Sequence, residues 1–492
     1  MKYSQNSKES CELVFGIVGP IGCNRKLIKE TIEAHAKHYN YKMVVISMSD
    51  LINECYPNIK YPTNEFDRVI SYMDTGLHIC ETAEDNAFLA KRAASKINRL
   101  RSSFRRTVYI IDSIKRPEEV DELKNIYGRG FYLFAVHSSD ESKHNYLKTY
   151  CNIQCKEKRN ALIDRDQNGK GGHDQNTSKA FHLADFFITE NGNNNKVANA
   201  IDRFLKIIFG DPFQTPTFHE YAMFMAYAAS TKTADMSRQV GAVISKGTDL
   251  IATGANECPK PGGGSYWPLF DDNSNEIYDI KGGRDYTTGS DFNAEEKHKI
   301  IAKLKDGLSE GAIKILTKNI TESGIEDLTE FGRVVHAEMD ALLSCARRGI
   351  SCEGAKLFTT TFPCHNCAKH IISAGIKTLI YVEPYPKSKA LIMHNDALTT
   401  DECDPNNKTL LLPFLGVGPR QYLNFFSLTL STGQKIKRKA NDSCKKAEWT
   451  KPDALPRVKM YEVTYKSNEV EVEKETDAII AVKLKNTPPS IN

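Results

Sequence analysis

Two short motifs constrain this chain more than any other part of it: His336-Ala337-Glu338, and Pro363-Cys364-His365-Asn366-Cys367, which begins 25 residues after Glu338. Each motif opens a helix after an irregular or extended stretch, so a fold that uses both must set two helix N-termini side by side. One imidazole (His336) and two thiolates (Cys364 and Cys367) then converge on a single zinc ion and leave its fourth tetrahedral position to water, as in catalytic rather than structural sites. The positive ends of the two helices favour the thiolate forms, and their backbone amides can donate to sulfur. Zinc held this way lowers the pKa of its water from about 15.7 toward about 7, giving hydroxide at neutral pH. Glu338, two residues beyond the histidine, is placed to reach that water without ligating the metal, as a general acid and base. Either motif alone is ambiguous, since Cys-x-x-Cys also serves redox pairs and half-sites of structural zinc, and His-Ala-Glu alone is only a helix start.

In this order, with Pro363 ahead of the cysteines, the two motifs match the signature of zinc-dependent deaminases, in which the hydroxide attacks C4 of cytosine and the glutamate carries protons to the ring nitrogen and to departing ammonia. His365 and His370 are read as non-ligands, because one histidine and two cysteines already complete the protein's share. Cys258, Cys345 and Cys352 default to core or surface roles, with a second, structural zinc left open.

The surrounding pattern is that of an α/β chain in two halves. Leu13–Gly19 is a buried strand running into glycines, and Lys26–Tyr39 follows as a helix with Leu27, Ile28, Ile32 and Ala36 on one face. Strands at Met43–Ser47, Val108–Asp112, Phe131–Val136 and Phe187–Thr189 alternate with helical segments, which predicts a parallel sheet covered by helices. A closing helix is expected over Lys196–Phe209, and the glycine and two prolines of residues 211–217 and their approach read as a linker. The second half has a helix at His219–Ser230, a strand pair at Val240–Ser245 and Leu250–Gly254, a helix at His336–Arg348, strands at Leu357–Thr361 and Thr378–Val382, and a helix at Cys364–Ala374. Residues 259–335 interrupt it as an insertion, with a helix near Lys297–Asp306, and are read either as a substrate lid or as a passive surface excursion. The expected division is thus 12–210, linker 211–217, 217–430, and a C-terminal extension 431–492. Residues 1–10 are read as a loose leader, and 468–492 as an edge strand followed by disorder.

With 492 residues, 40% of them hydrophobic, the chain can bury more than one core. It shows no targeting segment and no apolar run of membrane-spanning length, which predicts a cytoplasmic protein without a membrane partner. Thirteen scattered cysteines suit reduced thiols better than a disulfide framework. A net charge of +4 does not announce a nucleic-acid binder. The densest basic cluster, Lys435, Lys437, Arg438, Lys439, Lys445 and Lys446, is either a solvated loop or a nucleic-acid or phosphate contact.

Residues 359–369 and 372–377, together with Ser237-Arg238-Gln239-Val240-Gly241-Ala242-Val243-Ile244 and Gly254-Ala255-Asn256-Glu257-Cys258-Pro259, resemble the deoxycytidylate deaminases. The resemblance implies that Arg238 and Gln239 lie in the nucleotide pocket with Arg238 near the phosphate, that Asn256 contacts the sugar, and that Glu257 contributes to the site. The alternative for Arg238 is a surface ion pair. Residues 108–117, 179–185, 383–388 and 416–420 extend the likeness to a two-domain group of bacterial anti-phage deoxycytidine-nucleotide deaminases, in which a P-loop nucleotide-kinase-like domain precedes an α/β/α cytidine-deaminase-like domain. That resemblance implies deamination of dCTP and dCMP to starve a phage of a DNA precursor, a homo-oligomer, and allows an inhibitory small RNA and an allosteric nucleotide.

The N-terminal loop departs from the pattern. Gly19-Pro20-Ile21-Gly22-Cys23 starts like a phosphate-binding loop, but Asn24-Arg25-Lys26 stands where glycine, lysine and Ser/Thr are expected. No hydroxyl is offered to magnesium, and Arg25 is not a compact point charge like lysine. Asp112, ending a strand, matches a metal-holding carboxylate, and Arg159 with Arg165-Asp166 resembles the remains of a kinase lid. Gly19, Gly22, Arg25 and Asp112 are therefore expected to hold a nucleotide, if any, in a regulatory domain. An active kinase and a retained scaffold that binds nothing stay open. A deaminase of RNA or single-stranded DNA also stays open for the whole chain, although it would need a basic, aromatic channel.

Overall fold

The computed structural model describes residues 9–101, 105–169, 173–323, 331–385, 388–404, 406–429, 434–440 and 444–489. Residues 1–8 of the expected leader, Pro386 and Lys387 of the extended likeness, and the last residues of the tail lie outside them. The chain divides into two compact units, residues 1–220 with 415–492, and residues 221–414.

The first unit is built on a six-stranded sheet ordered Gly416–Val417, Phe186–Thr189, Phe131–His137, Leu13–Val18, Thr107–Ile114, Lys42–Ser47. Every neighbour pair is parallel except Gly416–Val417, which runs antiparallel to Phe186–Thr189. The central strand Leu13–Val18 is buried along its whole length, which explains its unbroken apolar reading. Helix Arg25–Ala36 follows it, started by the Asn24 side chain accepting from the Leu27 amide, and buries Ile28, Ile32 and Ala36 at four-residue spacing.

Two boundaries differ from expectation. Residues 415–430 belong to this first unit, not to the second, because Gly416–Val417 completes its sheet. The buried Glu220 carboxylate fixes that return: it accepts from Arg203 at 2.7 and 2.8 Å, from the Thr217 amide at 2.7 Å and from the Val417 amide at 2.8 Å. At Gly416, with φ of 120°, an added Cβ would lie 2.7 Å from the same carboxylate. The tail is not an edge strand. Glu462–Val482 is a helix whose buried residues, Tyr465, Glu469, Val472 and Thr476, recur every three or four positions. Just before it, Met460–Tyr461 pairs antiparallel with Glu9–Ser10, so ordered structure starts earlier than Glu12.

The second unit carries its own six-stranded sheet, ordered Leu398–Thr399, Thr409–Pro413, Thr378–Glu383, Lys356–Thr361, Gly241–Lys246, Asp249–Ala255. The first four strands are mutually parallel, and the last two join antiparallel as the hairpin read from the sequence. Helices Ala337–Arg347 and His365–Ser373 pack on this sheet through Ala337, Ala341, Cys345, Ala368 and Ile371. The insertion is more structured than one helix: it holds a hairpin, Leu269–Asp271 with Glu276–Tyr278, and helices Phe292–Lys305 and Glu310–Ser323. Among the described residues no helix is long and apolar enough to cross a membrane.

Candidate metal centre

Strand Asp249–Ala255 lies so close to helix Ala337–Arg347 that a Cβ at Gly254 would stand 2.2 Å from the Ala337 carbonyl oxygen and 2.4 Å from the Ala341 nitrogen. Glycine there lets the sheet press on the helix that starts the site. His336 is the N-cap of that helix, and Cys364 is the N-cap of helix His365–Ser373, where its sulfur accepts from the Cys367 amide at 3.4 Å. Both expected helix starts therefore occur, and both present donor side chains.

His336 Nδ1 lies 3.4 Å from Cys364 Sγ and 3.3 Å from Cys367 Sγ, and the three donor atoms fall within 4.8 Å of one another. Tetrahedral zinc with ordinary Zn–N and Zn–S bonds sets such atoms about 3.5 Å apart, so the donor set fits that ion in element and in spacing. The cluster polarises itself. The Cys364 thiol is pulled down to about 4, first by its hydrogen bond with Cys367 and then, against burial, by His336. The His336 imidazolium is favoured up to about 9, chiefly by Cys364. A thiolate ready at neutral pH is what a divalent cation requires of its ligand. Among the described residues no other set of three His, Cys, Asp or Glu donors converges in this way.

Glu338 is 4% exposed, and its Oε2 lies 3.4 Å from Cys367 Sγ. Burial pushes its carboxyl above the usual range, with Cys364 adding to the effect. It thus stands beside the donors as a carboxyl that can both hold and give up a proton.

The four other residues expected in this unit form a second group. Arg238 is exposed, and its guanidinium lies 5.3 Å from the centre of the Tyr385 ring. Gln239 is exposed beside it and donates to the Thr233 carbonyl at 3.5 Å. Asn256 is buried and bridges this segment with its amide, donating to the Arg238 carbonyl and accepting from the Val240 amide, each at 2.7 Å. Glu257 is 1% exposed and receives Arg284 Nη2 at 2.7 Å and Nε at 3.1 Å. Arg284 was not legible in the sequence, being one of many charges in an insertion without periodicity.

Gly19, Gly22, Arg25 and Asp112 lie in the first unit, where the charges are spent on each other. Burial works against ionised Asp112, yet Arg25 at 2.9 Å and Lys29 at 2.5 Å hold its carboxyl below the usual range. The loop amide of Ile21 donates to Asp166 Oδ2 at 2.9 Å, and Lys115 Nζ lies 2.8 Å from Asp166 Oδ1 and 2.8 Å from the Gly19 carbonyl oxygen. Asp166, wholly buried, thus gives the loop a carboxylate of the chain's own.

The family described as the cytidine and deoxycytidylate deaminase zinc-binding region matches residues 216–383. Deoxycytidylate deaminase of Enterobacteria phage T4 is 33% identical over 175 residues, which cover 34% of this chain and 77% of the phage protein. The phage T2 protein of the same name is 34% identical over 170 residues, 34% of this chain and 79% of its own length. Among solved structures, a dCMP deaminase from cyanophage S-TIM5, in complex with dCMP and dUMP, aligns over 41% of this chain and 100% of its own, at 18% identity and a TM-score of 0.23. A phage relative at this identity, matched over three quarters of its length, decides the matter: the chain belongs to the deoxycytidylate deaminase family.

Proposed function

We propose that the second unit removes the amino group from the cytosine of free deoxycytidine nucleotides, dCMP or dCTP, with water as the other reactant and ammonia as the product. The observation that carries the reading is the buried Glu338 carboxylate 3.4 Å from Cys367 Sγ, beside three converging donors. His336, Cys364 and Cys367 would hold the zinc, which would supply a Lewis acid able to bring the pKa of a water into the neutral range. Glu338 would shuttle both protons of the reacting water, the first to the ring nitrogen and the second to the departing ammonia. Its raised affinity for protons, a product of burial, suits a group that must carry one between two atoms.

Arg238 faces the substrate phosphate, and its placement over the Tyr385 ring orders a guanidinium that would otherwise sweep through solvent. Gln239, Asn256 and Glu257 shape the sugar side, Asn256 through the backbone of residues 238–240 that its amide holds. The names of the phage relatives favour the monophosphate, whereas the likeness of the whole chain to the anti-phage group favours dCTP and a role in depleting deoxycytidine nucleotides during infection. In that role the enzyme acts in the cytoplasm as a homo-oligomer, under an inhibitor such as a small RNA or an allosteric nucleotide.

The first unit is a nucleotide-kinase-like domain that does not transfer phosphate. Its Arg25–Asp112 pair and its Asp166-bound loop support a regulatory or supporting part over a kinase.

Incubating the zinc-loaded protein with dCMP, dCTP, cytidine and a cytosine-containing oligonucleotide, and following uracil formation, tests the reading. Turnover of dCMP or dCTP is expected. Reaction of the oligonucleotide alone would replace the proposal with a polynucleotide deaminase.

A further inference from the structure

One of the places where the insertion is stitched to the rest of its unit lies beside the metal centre's own segment. Its turn at 282–284 is held from two sides: Arg333 Nη2 donates to the Gly282 and Gly283 carbonyls at 2.9 and 3.3 Å, and Arg284 reaches Glu257. Arg284 does more than neutralise a charge. Its Nη2 also donates to the Lys232 carbonyl at 2.7 Å, so one guanidinium joins the start of the 232–240 segment to the strand exit at 257.

Glu257 relays that connection in two directions. Its Oε2 also accepts from the Ala234 amide at 3.0 Å, and its Oε1 from the Cys258 amide at 2.9 Å. Its backbone exchanges both hydrogen bonds with Val335, at 3.2 and 3.1 Å, and Val335 directly precedes His336. Arg284 therefore touches the 232–240 segment directly, at Lys232, and is separated from His336 by Glu257 and Val335. Removing one partner of such a buried ion pair is costly.

We infer that Arg284 is a positioning residue for substrate affinity, an insertion-borne clamp that sets the 232–240 segment at a fixed distance from His336. The clamp makes the turn at 282–284 part of the wall of the site rather than of a free lid. The inference rests on the reading that Arg238 and its neighbours receive the nucleotide. Preorganised binding segments act mainly on ground-state affinity when the reacting groups, here Glu338 and the metal ligands, are left in place.

The experiment is steady-state deamination of dCMP by the zinc-loaded full chain, wild type against R284A and R284K, with bound zinc and thermal unfolding measured on the same samples. R284A is expected to raise KM by about tenfold or more while kcat stays within about threefold and zinc remains at one per chain. R284K keeps the charge but loses the forked contact to Glu257 and the Lys232 carbonyl, and is expected to fall between. Unchanged KM in R284A, or a loss of kcat that only follows lost zinc or lost folded protein in both variants, overturns the inference. A wild-type protein inactive on dCMP and dCTP would instead sink the functional reading and would be seen before any variant is made.

Discussion

The loop after Leu13–Val18 and the metal centre are made with the same local device, a strand or extended stretch that ends in a helix start, yet they finish in opposite electrostatic states. In the first unit each exposed end of the device is met from within: Asp166 takes the Ile21 amide and Lys115, and Asp112 takes Arg25 and Lys29. In the second unit two helix starts bring together His336, Cys364 and Cys367, whose sulfurs and nitrogen lie against one another, the Cys367 amide and Glu338. A helix start is a site only when the fold leaves it a charge to satisfy. The first has its counter-charges built in; the second asks for a cation.

The largest expected effect breaks the second half of that contrast. Replacing Glu338 with Gln should lower kcat by at least about a thousandfold, since general acid–base groups contribute up to about 10⁴, while zinc analysis still finds one ion per chain. Retained turnover would remove Glu338 from its part. Next, Asp166→Ala should leave Lys115 buried without its carboxylate and destabilise the first unit by about 3–5 kcal/mol, read by denaturant unfolding with the Trp449 side chain, which packs on that unit's core, as the fluorescent reporter. A change below about 1 kcal/mol would mean that the loop is not held by its own acid. Gly254→Ala should cost about 1–3 kcal/mol by forcing the sheet off helix Ala337–Arg347, with a matching loss of zinc affinity in competition with a chelator. The smallest effect is an expected absence of difference: ATP hydrolysis by the wild type should not exceed that of Asp112→Ala, and a clear excess would show that the sealed loop opens for chemistry.

How far the sequence could be read depended on the range of the interaction. The three converging donors were legible because each half of the motif is local and its order specific, and the strands at 13–18, 107–114 and 131–137 because burial on both faces leaves most of each apolar. The tail misled because Val470 and Val472 alternate with glutamates as in a strand, whereas the buried residues Tyr465, Glu469, Val472 and Thr476 follow a helical period that a buried glutamate disguises. Glu469 is buried because Arg101 and Tyr127 meet it, at 2.8 and 3.0 Å, from more than three hundred residues away. Arg284 escaped for the same reason, since its worth lies in a partner 27 positions distant that no spacing rule announces. The return of residues 415–430 to the first unit rests on a two-residue strand, too short for any period to reveal.

That return has a consequence for the order in which the protein is made. Everything the second unit needs has been synthesised once Phe414 leaves the ribosome, but the first unit still lacks its edge strand at Gly416–Val417 and the helix Glu462–Val482 that covers Tyr127 and Arg101. At ordinary translation rates of about 5–20 residues per second the edge strand follows within about a second, but the end of the helix arrives only roughly 3–14 s later. The half of the chain that is begun first is thus the half that is finished last, and the nascent catalytic unit has time to fold, and to find its metal, while its host is still waiting to close.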